Sequence, residues 1–267
     1  MTGDAIRLFH ISDIHFGMED AAALEWVRHC IETERPDAVA ITGDLTMRAR
    51  HEEYEAAVQW ISGLGVSVTV EVGNHDLPYF NLFERFTNPY RRFHGIKGLI
   101  EREIDLPGLA IMSLRTTVRV QPRWPWVDGW IMPRALGETL DAIDALPQGT
   151  RVIVAAHHPL PERGEDGRLL TRRGAQAMEA LAARGVMAVL SGHIHDPFDL
   201  VAETPGGALR MIGAGTLSQR VRSTPPSFND ITISGDDVHV EARNLAHVAT
   251  ADMMVDKVPE DATPPAR

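Results

Sequence analysis

Along the first two thirds of the chain, short apolar runs alternate with longer segments whose apolar residues recur every three or four positions. Ile6–Ser12, Asp37–Thr42, Val66–Val72, Arg151–Ala156 and Val186–Ser191 have the length and β-branched content of buried strands. Between them, Ala21–Glu34, His51–Ile61, Ala135–Leu146 and Arg173–Ala183 carry helical spacing. This alternation predicts a largely parallel sheet packed under helices. After Gly192 the pattern changes. Phe198–Glu203, Ala208–Ile212, Phe228–Ser234 and Val238–Arg243 read as consecutive strands, with turns such as Pro205-Gly206-Gly207 and Gly235-Asp236-Asp237 between them. They predict an antiparallel meander that closes a second sheet. Arg119–Asp128, with Pro122, Trp124, Pro125 and Trp126, reads as a rigid loop. No Gly/Ser or Pro linker interrupts the pattern, so residues 1–250 are expected to form one domain. Residues 251–267, the last dozen holding three prolines and little apolar content, read as a disordered tail.

With 267 residues, 44% of them apolar, the chain is long enough to bury a substantial core. Acids outnumber bases 37 to 26, for a net charge of −11, and no basic stripe interrupts that balance, which argues against a nucleic acid polymer as partner. A single cysteine, Cys30, excludes an internal disulfide framework and reads as a small buried thiol in the first helix. The segment Met1–Asp4 carries neither a basic n-region nor an apolar signal stretch. No apolar run approaches the ~18 residues of a membrane span, so a cytoplasmic protein is expected.

The predicted strand ends change the picture more than composition does. In an open α/β sheet, ligands sit beyond the carboxyl ends of the strands. The first run delivers Asp13-Ile14-His15 there, the second Gly43-Asp44, the third Gly73-Asn74-His75-Asp76, the fourth His157-His158-Pro159 and the fifth Gly192-His193-Ile194-His195. Residues at i and i+2 on an extended segment point the same way, so Asp13 and His15 can grip one ion, while His193 and His195 can each reach a different one. Gly43 and Gly73 would let the backbone turn tightly just before a ligand. Oxygen and nitrogen ligands without thiolates suit Mn, Fe, Zn or Co. Asp44 is the natural bridge, and two ions about 3.5–4 Å apart would hold a hydroxide between them and clamp the oxygens of an in-line displacement.

The ordered series Asp-x-His, Gly-Asp, Gly-Asn-His-Asp, His-x-Pro and Gly-His-x-His resembles the calcineurin-like metallophosphoesterase superfamily. Gly215-Thr216 to Pro225-Pro226-Ser227-Phe228-Asn229 is similar to the closing strands of its bacterial cyclic-nucleotide and glycerophosphodiesterase members. The resemblance implies a four-layer α-β-β-α sandwich of two mixed sheets and a two-metal hydrolase. It implies that Asp13, His15, Asp44 and His195 bind one ion and that Asp44, Asn74, His157 and His193 bind the other. His75 would be the outer-sphere histidine that contacts the phosphate or protonates the leaving oxygen, with Asp76 orienting it. Arg115, Arg119 and the Trp124-Pro125-Trp126 loop match nothing in that pattern, and the loop reads as a packed surface loop or, alternatively, as a flat apolar wall for a base or acyl group.

Outside the series, His10, His29, His51, His94, His239 and His247 read as surface or internally satisfied residues. Asn74, His75, His158 and Arg220 are candidates for the substrate, Arg220 coming from a group of arginines (Arg172, Arg173, Arg220, Arg222) that stands out in an acidic chain. The expected partner is a small phosphoester, with no membrane span and with a homo-oligomer compatible with the sequence. A phosphodiesterase acting on small diesters leads. A phosphomonoesterase or nucleotide-sugar pyrophosphatase on the same metals is the rival, and a non-catalytic scaffold is disfavoured because every ligand of the series is present.

Overall fold

The computed structural model describes residues 5–101, 104–122, 126–161 and 171–245. The expected tail at 251–267 and Trp124-Pro125 lie outside them. In chain order the strands are β1 (Ile6–Ile11), β2 (Ala38–Ile41), β3 (Val68–Val70), β4 (Leu109–Ser113), β5 (Gly129–Trp130), β6 (Arg151–Ala155), β7 (Thr171–Arg172), β8 (Ala188–Ser191), β9 (Phe198–Thr204), β10 (Gly207–Gly213), β11 (Ser227–Ser234) and β12 (Asp237–Asn244). The helices are α1 (Ala21–Glu34), α2 (His51–Ser62), α3 (Leu82–Thr87), α4 (Arg91–Ile100), α5 (Pro133–Asp144) and α6 (Gly174–Ala182).

Two five-stranded mixed sheets form the centre, in the orders β12-β11-β1-β2-β3 and β4-β6-β8-β10-β9. In the first, β1, β2 and β3 run parallel and β11 and β12 antiparallel to their neighbours. In the second, β4, β6, β8 and β10 run parallel and β9 closes the edge antiparallel. Because side chains alternate along a strand, each sheet presents two apolar faces. Ile6 and Leu8 of β1 meet Ile153, Leu190 and Ile212 of the other sheet, while Phe9 and Ile11 turn outward onto Leu24, Val27 and Ile31 of α1. Val152 and Val154 likewise turn outward onto Ile143 of α5 and Leu181 of α6. The result is the four-layer α-β-β-α sandwich.

The structure corrects the expected meander. β9–β10 extends the second sheet through the parallel β8–β10 pair, whereas β11–β12 joins the first sheet through β1. Two hairpins consecutive in sequence therefore serve different sheets, which local turn chemistry cannot specify. Strand β4, helices α3 and α4, and the short β5–β7 pair lie in stretches where the sequence pattern predicts no element. For α3 the reason is plain, because its charged residues face inward and its apolar residues outward.

Just beyond β3, Glu71 is buried and accepts a hydrogen bond from Ser113 Oγ of β4 (2.7 Å), linking the edge strands of the two sheets. Burial pushes its carboxyl up to about 7. Between the ordinary glutamate value and about 7 the folded protein keeps the proton that the unfolded chain releases, so stability falls as pH rises through that window. Glu71→Gln should remove this dependence. The variant should be more stable than the parent by about 3 kcal/mol above pH 7 and equal to it below pH 4.5. Urea unfolding of the metal-free protein across this range is the measurement, and parallel curves for the two proteins would contradict the assignment.

Candidate metal centre

The parallel strands β1, β2 and β3 end on one side of the first sheet, and β6 and β8 end opposite them in the second. Their extensions meet in a small polar cluster. Asp13, His15, Asp44, Asn74, His157 and His195 are all buried, and His193 is half-buried beside them. Reaching this arrangement bends the main chain. Asp13, His15, Asp44, His193 and His195 have φ of 52°, 51°, 51°, 69° and 67°, the left-handed region that costs an L residue about 1–2 kcal/mol. Backbone hydrogen bonds between adjacent strand ends hold the strain: Asp13 N donates to Gly43 O (3.1 Å), His15 N to Asp44 O (2.9 Å) and Phe16 N to Leu45 O (2.8 Å). Gly43 turns with a φ of 94°, as its position suggests. Gly73 is required for a different reason, since its own φ is ordinary but a Cβ there would run into the Asp44 main chain and carboxylate.

Four imidazoles share one orientation. His157 Nδ1 donates to Thr42 O (2.7 Å), His195 Nδ1 to Arg220 O (2.7 Å), His75 Nδ1 to Met47 O (2.8 Å) and, more loosely, His15 Nδ1 to Thr46 O (3.4 Å). A carbonyl only accepts, so each ring carries its proton on Nδ1 and turns the Nε2 lone pair inward. The His75 lone pair meets the Arg220 guanidinium, while those of His15, His157 and His195 also face other acceptors. His15 Nε2 is 3.2 Å from His195 Nε2, and His157 Nε2 is 3.1 Å from Asn74 Oδ1. Asp13 Oδ1 is buried without a hydrogen bond and lies 3.1 Å from His195 Nε2, while Asp44 Oδ2 is 3.7 Å from His15 Nε2 and 3.5 Å from His157 Nε2. Acceptors facing acceptors at these distances repel one another unless a cation lies between them. The donor set fits a pair of divalent ions, with Asp44 between the His15 and His157 sides.

The titration behaviour has the same cause. Burial opposes ionisation of Asp13, yet the His15 and His195 imidazoles hold its carboxyl well below the usual range. Asp44 is lowered by His157, His75 and His15, again against burial. Burial pulls His157 and His195 down, but the Asp44 and Asp13 carboxylates outweigh it and raise both. Two buried carboxylates converging on one point favour cations there.

Two sequence expectations change. Asp76 does not orient His75. Its carboxylate accepts from the backbone N–H groups of Gly73 (2.8 Å), Thr46 (2.9 Å) and Leu45 (3.2 Å) and from Thr46 Oγ1 (3.0 Å), and the Met47 carbonyl orients the imidazole instead. Asp76 is thus the pin between the 44–46 and 73–76 loops. His158 is turned away from the opening and fully buried. Its Nε2 donates to Val127 O (2.9 Å) and its Nδ1 pairs with Thr116 Oγ1 (2.8 Å), so no ring nitrogen is left for a substrate. Among the four singled-out arginines, Arg220 reaches the centre, with Nη1 3.1 Å from His15 Nε2 and 3.2 Å from His75 Nε2, whereas Arg172 lies over the Trp130 ring. Sequence reasoning missed the carbonyls of Thr42, Thr46, Met47 and Arg220, because a backbone oxygen leaves no residue-type signal.

The family model for calcineurin-like phosphoesterases matches residues 6–197. Over 217 residues the chain is 29% identical to a probable cyclic nucleotide phosphodiesterase of Synechococcus, a match that covers 73% of this chain and 76% of that protein. Its fold is similar to that of a dimetal phosphatase from Danio rerio, with TM-score 0.62 and 14% identity over 89% of this chain and 98% of that one. It is also similar to a purple acid phosphatase from yellow lupin seeds, with TM-score 0.63 and 11% identity over 91% of this chain and 52% of that one.

Removing the Asp76 carboxylate leaves three buried N–H groups without an acceptor, each costing about 1–3 kcal/mol. Asp76→Ala should therefore lower stability by roughly 3 kcal/mol or more and loosen metal binding with it. Thermal unfolding and elemental analysis of the same preparation check this. A variant as stable as the parent but catalytically dead would restore the orienting role.

Proposed function

The chain belongs to the calcineurin-like phosphoesterase family and is a metal-dependent phosphoester hydrolase, and on that premise we propose that its substrates are small phosphodiesters of the cyclic-nucleotide or glycerophosphodiester type. In this reading Asp13, His15, Asp44 and His195 hold one divalent ion, and Asp44, Asn74, His157 and His193 hold the second. When bound, such a pair lowers the pKa of water and neutralises charge on the phosphoryl oxygens. The protein's own contribution is orientation. Backbone carbonyls lock the imidazoles, and the strained strand ends fix the carboxylates before substrate arrives.

The observation that carries the choice of a diester is the cationic side chain at this centre. A monoester dianion gains from further cations beyond the metal pair, and among the described residues Arg220 is the arginine that hydrogen-bonds to the centre's imidazoles. One guanidinium matches a monoanion. A diester also needs a proton for its departing alkoxide. In this reading His75 supplies it: its Nδ1 proton is committed to Met47 O and Nε2 is the nitrogen facing the centre beside Arg220. As imidazolium, Nε2–H donates to the leaving oxygen; as neutral imidazole, it accepts from the alcohol product. The similarity to a probable cyclic nucleotide phosphodiesterase supports the same substrate class.

His75 and His157 should separate cleanly on substitution. His75→Ala should retain the parent's metal content and lose turnover by roughly 10²–10⁴-fold. His157→Ala should lose metal, and equal metal loss in the two variants would overturn the assignment. For the substrate class, the metal-reconstituted enzyme should cleave bis(p-nitrophenyl) phosphate with higher kcat/KM than p-nitrophenyl phosphate, and cyclic nucleotides should be hydrolysed among natural diesters. A preference for monoesters across several leaving groups would promote the phosphatase reading.

A further inference from the structure

Helix α3 is built inside out. Its charged residues Glu84 and Arg85 are buried, while Leu82, Phe83 and Phe86 are 55%, 80% and 47% exposed. Just ahead of it Tyr79 and Phe80 are 44% and 71% exposed, their rings in edge contact at 5.5 Å. A single exposed apolar residue is ordinary, but a contiguous patch of aromatic side chains is not. The inversion is held by specific bonds. Glu84 is paired with Arg91 and Arg92, and Arg85 donates to the Arg119 and Val118 carbonyls (2.7 and 3.3 Å).

Two connections link the patch to the metal centre. Tyr79 follows His75 by four residues. On the far side, the Phe86 ring is 6.1 Å from Trp126, and the adjacent Val127 carbonyl accepts from His158, the neighbour of His157. Its charge is opposite to that of the whole chain. From Leu77 to Glu101 stand four cations and two carboxylates, and among the described residues of 113–130 Arg115 and Arg119 stand against Asp128, in a protein with 37 acids and 26 bases. Arg91 and Arg92 are paired with Glu84 and Lys97 with Glu101, whereas Arg85 is held by neutral carbonyls, Arg115 lies over the Tyr90 ring and Arg119 is exposed, so Arg115 and Arg119 carry the uncompensated charge of this face.

We propose that this aromatic, cationic rim docks the enzyme on an anionic lipid surface. The Phe80 and Phe83 rings enter the headgroup layer, and Arg119 and the half-buried Arg115 approach the lipid phosphates. Aromatic side chains are suited to that layer, and each cation near an anionic surface contributes about 1 kcal/mol. The Debye length of about 8 Å in physiological salt lets local charge dominate over the distant acidic faces. A second copy is the poorer occupant, because it would bring the same cations against these ones. The inference goes beyond the chemistry proposed above, and docking is read without turnover.

The test is co-sedimentation of the full-length, metal-reconstituted protein with vesicles of phosphatidylcholine alone and of phosphatidylcholine mixed with phosphatidylglycerol. The parent should bind the mixed vesicles at least about tenfold more tightly and be released by salt. Phe80→Glu and Phe83→Glu should each reduce that binding about tenfold or more while hydrolysing a soluble diester at the parent rate, which also reports that they fold. Equal binding to both vesicle types, no binding to either, or variants that bind like the parent would overturn the proposal. A parent that ignores vesicles but sediments as a dimer, converted to monomer by Phe83→Glu, would overturn it in favour of a second copy. If soluble diesters prove inert while docking behaves as described, the substrate reading fails and the docking surface stands.

Discussion

Two carboxylates, Asp13 and Asp44, are buried together with inward-facing imidazole lone pairs, and the rest of the structure around the cleft answers to that fact. An ionised group taken from water is expensive unless it is paired or binds metal. Here the neighbouring groups are largely acceptors, so the cluster is internally repulsive without cations. The four-layer sandwich supplies the rigidity to hold such a cluster open. The interface between the sheets, from Leu8 and Ala40 to Ile153 and Leu190, is tightly buried up to the ends of the strands. Beyond those ends, chain from both sheets can contribute side chains to one point.

That rigidity has a local counterpart in the backbone. Five of the candidate ligands sit in left-handed conformation, which few residues adopt without support. The support is the continuation of the β1–β2 hydrogen-bond ladder into the loops and the Asp76 carboxylate that gathers three N–H groups beneath them. Packing, strain and ligand placement are therefore one problem. A change that relaxes the loops also moves the carboxylates.

Charge is divided by place. The outer faces and helix surfaces carry ordinary exposed pairs such as Arg28 with Glu25 and Glu32, worth little to stability. Around α3, Arg85 is held by the carbonyls of Val118 and Arg119 and Arg115 lies over the Tyr90 ring instead. The segment from Tyr79 to Phe86 combines that positive charge with outward aromatic rings.

Much of this was legible in the sequence. The alternation of apolar runs with helical spacing locates β1, β2, β6, β8 and helices α1, α2, α5 and α6, because burial of one face imposes a period on the residues. The motif residues at the run ends identify the cluster from Asp13 to His195, since metal ligation restricts residue type at each position. What only the tertiary structure decided is whatever depends on partners distant in sequence. The β11–β12 hairpin crosses to the first sheet because β1 offers it an edge, not because of its own turn. The role of Asp76 follows from the 44–46 loop lying beneath it, and His158 is turned inward by Thr116 and Val127. The proton positions of the imidazoles were set by carbonyls of Thr42, Met47 and Arg220, atoms that every residue possesses and that folding alone brings within reach.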